Sequence, residues 1–135
     1  MPPLTRWFIK ASLISLAAAL LVRAGMSLLS APVSGAFAPV FFHLFVWGWV
    51  TQLIFGVAYW MFPTFTKERP RGYERLWIAT FWCLNIGLIA RVIGEPLHIL
   101  RPEALWAWLT ILAAILQWLA AMGFVVNIWG RVKER

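Results

Sequence analysis

Acid is the scarcest chemistry in this chain. Five acidic residues, all glutamate, stand against twelve Lys and Arg, for a net charge of +7. Histidine occurs twice and cysteine once. The lone Cys83 excludes an internal disulfide and any multi-thiolate metal site. Charged residues make up only 13% of the chain, against roughly 25% in soluble domains. There is no low-complexity tract, no convincing repeat, and no run of acids suited to a proton channel. A nucleic-acid reading of the basic residues needs a folded basic face, and the chain leaves nowhere to build one.

What fills the 135 residues instead is apolar side chain, 62% of the total, with 16% aromatic. At roughly 20 apolar residues per span the chain has room for four membrane helices and little else. The runs fall at about 7–29, 37–62, 76–97 and 104–129. The expected fold is all-α, an integral membrane four-helix bundle, up-down-up-down, forming a single transmembrane domain over 1–135. SAPVSGA after Leu29 reads as a short hairpin loop. PTFTKERPRGYER is the long basic connection, and HILRPE is a short one in which Glu103 suits the start of the fourth helix. The basic start of the first run suggests a signal peptide, but its long core and Arg23 argue for a retained helix.

Lys and Arg are kept from translocated loops, so their distribution orients the bundle. Arg6, Lys10, Lys67, Arg69, Arg71, Arg75, Arg131, Lys133 and Arg135 fall on one side, leaving Arg23, Arg91 and Arg101 toward the other. Both termini and the middle loop are therefore expected in the cytoplasm, with anionic lipid headgroups as the partner of the basic side. Tyr59, Trp60, Tyr73, Trp77, Trp106, Trp108 and Trp129 lie near span ends, where such rings anchor to the interface. Gln52, Asn85, Gln117 and Asn127 are expected to hydrogen-bond between helices.

His43 is the candidate around which a function is built. It lies in an otherwise apolar run, where an unpartnered imidazole is costly, so a partner, a proton path or a metal is required. Counting in from the outer end places it roughly 9 Å deep. Arg91 on the third run and Arg23 on the first fall at about the same level, and Glu95 stands one turn from Arg91, in reach of an ion pair. Ala79, Cys83, Gly87, Ala90 and Gly94 form a small-residue stripe on the third helix. The stripe serves close helix packing or leaves a groove for a flat apolar molecule. Trp47, one turn inward from His43, lines such a pocket or packs.

An imidazole, two guanidinium groups and a groove suit a heme, whose iron takes the imidazole and whose propionates take the bases. The expected metal ligand is His43, with Arg23, Arg91, Trp47, Gly87, Gly94 and His98 as cofactor-binding residues. His98 lies too far out to be the second ligand, and Pro96 is expected to end the helix before it. Met26 offers a thioether, and a homodimer sharing the iron between two copies of His43 offers a second imidazole. A five-coordinate iron open to a gas is the third arrangement.

The segment HLFVWGWVTQLIFGVAYWMFP, the basic loop, and FWCLNIGLIARVIGEPL together resemble part of subunit I of the heme-copper oxidase and nitric oxide reductase superfamily, in its short four-helix members. The resemblance covers about half the chain and implies heme b on His43. It departs from the large enzymes in having only His43 and His98, too few for a binuclear centre. The expected function is thus a small heme b protein that transfers electrons or binds a diatomic gas. The bacterial or archaeal cytoplasmic membrane is its expected location, and a respiratory-chain protein its expected partner. The alternative is a cofactor-free scaffold subunit of a respiratory complex. Heme or metal transport is disfavoured for want of a polar path.

Overall fold

A computed structural model describes residues 1–132; Lys133 and Arg135 lie outside them. With no water in hydrocarbon to satisfy the backbone, apolar runs of this length close their hydrogen bonds internally as helices. Four form, each long and apolar enough to cross a membrane: α1 (Pro3–Met26), α2 (Ala31–Met61), α3 (Glu74–Leu100) and α4 (Ala104–Trp129). No strand occurs among the described residues.

Proline placement corrects two sequence expectations. Most of SAPVSGA is helix, because Pro32 sits in the first turn of α2, where its missing N–H is no loss. Pro96 does not end α3 either: the helix runs through it to Leu100 and carries His98 in its last turn. The long connection, residues 62–73, turns at Gly72, whose φ of +79° suits glycine. Glu103 is the N-cap residue of α4.

The centre of α2 departs from α geometry. Leu44–Thr51 is a π-helix, with an α-helix on each side. The spacing of two polar side chains accounts for it. His43 and Gln52 both face α3, where they meet Glu95 and Asn85. At 3.6 residues per turn the nine steps between them make about 2.5 turns, which would set them on opposite faces. The wider i→i+5 turn brings them nearer to two turns and onto one face.

Two cores hold the bundle. Toward the end carrying the basic loop, Phe8, Phe55, Tyr59, Trp77 and Phe124 interlock across all four helices, with Phe55 and Phe124 stacked at 4.0 Å and Phe8 edge-on to Trp77 at 6.4 Å. Toward the other end Ala19, Val40, Leu44 and Leu88 join α1, α2 and α3. Tyr59 and Trp77 are therefore not interfacial anchors. Both are buried, and their polar tips are met by Glu74 and by the Arg71 carbonyl.

Arg131 is buried as well, at 1% exposure, and does not reach headgroups. Its guanidinium donates to the carbonyls of Tyr59, Phe62 and Pro63, groups that the end of α2 leaves without helical partners. Burial, with the Arg71 charge nearby, lowers its pKa from the usual arginine value. Asn127 makes a second tie, accepting from the Tyr73 N–H.

Candidate functional site

His43 ends the first α segment of α2, and its Nδ1 lies 2.9 Å from the Pro39 carbonyl one turn back. A carbonyl only accepts, so Nδ1 carries the proton. Glu95 Oε2 approaches the same nitrogen at 3.1 Å but off the N–H line, and it has no hydrogen bond of its own. The ring is thus fixed from one side, and Nε2, which has no hydrogen-bond partner, is the nitrogen left with a free lone pair. A carbonyl and a carboxylate behind one imidazole nitrogen is how metal-bound histidines are oriented.

Glu95 is held in turn. Arg91 donates to its Oε1 at 2.8 Å, the i,i+4 pair expected from the spacing. Arg91 Nε reaches Gln117 Oε1 of α4 at 3.3 Å. The site is therefore a relay of four residues from three helices, His43, Glu95, Arg91 and Gln117, in an otherwise apolar layer. The Arg91–Glu95 pair is the one expected from the spacing, whereas Gln117 was expected only to bond between helices. The signal for a His43–Glu95 contact was present, since Glu95 lies within one turn of the level assigned to His43.

Arg23 does not join this group. It is exposed on α1, with no ion pair among the described residues. The small-residue stripe is occupied at Gly87 and Gly94, whereas Ala79 and Cys83 border a cavity of about 340 Å³ between α3 and α4. A Cβ on Gly87 would stand 3.1–3.2 Å from Leu116, Ala113 and Gln117, and one on Gly94 would stand 3.1 Å from Thr110. Packing against α4 is what the stripe serves at Gly87 and Gly94. Trp47 is half-buried against both cores. His98 is exposed and borders, with Arg91, Glu95 and Pro39, a cavity of about 240 Å³, below the roughly 300–1,000 Å³ of small-molecule sites.

Toward a heme, the residues present supply one oriented imidazole, and beside Gly87 and Gly94 α4 leaves no room for a porphyrin. Among the described residues no three of His, Cys, Asp and Glu come together as a metal cluster. Gln52 and Asn85 make the second polar tie of α2 to α3, at 3.1 Å, as expected for interhelical amides.

No family model matches the chain, and neither a curated protein nor a solved structure does.

Proposed function

We propose that this is a small membrane heme b protein in which His43 Nε2 takes the iron from outside the bundle, so that a second copy supplies the opposite imidazole. The observation that carries the reading is the orientation of His43: its Nδ1 proton is fixed by Pro39 and backed by Glu95, leaving the other nitrogen unengaged. The resemblance to heme-copper oxidase subunit I supports the cofactor. Two-fold symmetry makes the two ligands equivalent. When bound, the heme would supply one-electron chemistry or a gas site. The chain orients the imidazole, and the unpaired Arg23 remains for a propionate.

The bundle is read as up-down-up-down with both termini in the cytoplasm. Supporting this, Gly94 neighbours Thr110, Gly87 neighbours Leu116 and Gly72 neighbours Asn127, so the order reverses between α3 and α4. The basic loop also gathers with Arg131 at one end. A bacterial or archaeal cytoplasmic membrane and a respiratory electron donor or acceptor follow from the same resemblance.

Protein expressed with ample heme should show a Soret band that shifts on reduction, and one iron per two chains. His43→Ala should abolish the band. Wild-type protein without a Soret band under those conditions ends the proposal.

A cofactor-free scaffold subunit is the second reading, and one observation favours it: Arg91 is met internally, by Glu95 and Gln117, and α4 covers Gly87 and Gly94. Co-purification of a fixed membrane partner, with no absorbance beyond the aromatic band, would select it.

A further inference from the structure

The connection between α2 and α3 folds back onto the bundle. Within it the Phe65 N–H donates to the Pro70 carbonyl at 3.0 Å, the Gly72 N–H to the Arg69 carbonyl at 3.1 Å and the Arg69 N–H to Thr66 Oγ1 at 3.0 Å. Tyr73 and Trp77 add the ties to Asn127 and to the Arg71 carbonyl, and the Phe65 ring takes the space that a Cβ on Gly130 would need. The loop is thus fixed against α3 and α4. It carries a concavity of about 570 Å³ whose charged and aromatic lining is Glu68, Arg69, Arg71, Tyr73, Glu74 and Arg75.

The bases of this lining are unspent. Among the described residues both ion pairs involve Glu95, so no carboxylate neutralises Arg69, Arg71 or Arg75. Arg69 and Arg71 lie over the rings of Tyr73 and Tyr59, at 5.3 and 5.2 Å, contacts that aim a guanidinium without cancelling its charge. Of the two acids, Glu74 is engaged by the Tyr59 hydroxyl at 3.1 Å and Glu68 is exposed. Arg131 contrasts with all three, since its donors go to backbone carbonyls. An aimed, unneutralised guanidinium suits phosphate, whose oxygens take two parallel N–H groups at once.

Level selects the source of the phosphate. Helix α3 has 27 residues, about 40 Å by helical rise, close to the roughly 40–45 Å of a bilayer counted with its headgroups. Its first turn, which carries Glu74 and Arg75, therefore stands in a headgroup layer. Trp60 and Tyr73, 47% and 49% exposed, bring amphipathic rings to the same level. We propose that the loop concavity is a discrete site for one anionic phospholipid, its phosphodiester held by Arg69, Arg71 and Arg75 and its acyl chains in the adjoining bilayer. Of the many bases that the sequence assigns to headgroups, these three make the site. It stands whether or not His43 holds heme.

The test is native mass spectrometry of the full chain, released from detergent containing equimolar phosphatidylglycerol and phosphatidylcholine with identical acyl chains. One phosphatidylglycerol per chain should survive release, in preference to phosphatidylcholine. Arg69→Gln with Arg75→Gln should lower that preference about fivefold for each charge removed, with the unfolding midpoint unchanged. Arg69→Lys with Arg75→Lys, which keeps both charges, should retain most of it. Arg6→Gln with Lys10→Gln removes the same charge from the first turns of α1, at the same end of the bundle, and should leave the preference as it was. Equal losses from the two neutralised pairs would mean diffuse attraction to a basic surface and overturn the proposal. So would the absence of any preference for phosphatidylglycerol, or its displacement by millimolar inorganic phosphate, which would make this a site for a soluble phosphate compound.

Discussion

Glu95 carries two positive or proton-bearing neighbours on a side chain that is only 10% exposed. Removing its charge leaves Arg91 half-buried with Gln117 alone, so Glu95→Gln is expected to destabilise the protein by roughly 3 kcal/mol. The double variant Arg91→Leu with Glu95→Leu should cost less than the sum of the single changes. Thermal unfolding in detergent, read as a double-mutant cycle, checks the coupling, and additive losses would refute it. Sequence depth made His43, Arg91 and Glu95 legible because rise per residue fixes height. It did not separate Arg23 from them, because height says nothing about which way a side chain points, and Arg23 is exposed on α1.

Among the elements, α2 was the least legible. Its apolar run announces a span, but nothing in LFVWGWVT marks a π-helix, because the cause lies on α3: Glu95 and Asn85 require His43 and Gln52 on one face. This gives an unusual ordering of deletions. Removing Val46 alone would leave eight α-helical steps, about 2.2 turns, and swing Gln52 roughly 80° off Asn85. Removing Val46 and Phe45 together leaves seven steps, about two turns, and restores the common face. The single deletion should therefore lower the unfolding midpoint more than the double. The small-residue stripe on α3 was legible as a feature but open as to use, since a surface of small side chains serves a helix or a ligand equally. Because α4 occupies it, Gly87→Leu should push the two helices apart at about 1–3 kcal/mol, measured by unfolding, even in protein never supplied with heme.

For the molecule as a whole, four spans were legible from composition and length, while their ends were not: α1 lies three to four residues earlier than its apolar run, and α2 and α3 extend through segments where proline was read as a breaker. The orientation makes a direct prediction. With Cys83 replaced, a cysteine at Lys67 should resist an impermeant maleimide added to intact cells, while one at Ser30 or Arg101 should react. The opposite pattern would invert the bundle. Net charge predicted a surface role for every base near the loop, and Arg131 departs from that because three carbonyls at the end of α2 need donors more than a headgroup needs a cation. Arg131→Leu should cost roughly 3 kcal/mol, seen as a lowered unfolding midpoint.

That buried guanidinium also sets an order of events. Translation proceeds from α1 onward, so the end of α2 leaves the ribosome before α3, α4 and Arg131 have been made, and its three carbonyls wait for water or lipid headgroups meanwhile. Only when α4 has inserted does the donor arrive that seals them. The half-made protein is accordingly open at its basic end. The end of α2 is thus closed by a charge that the chain supplies only after its fourth helix.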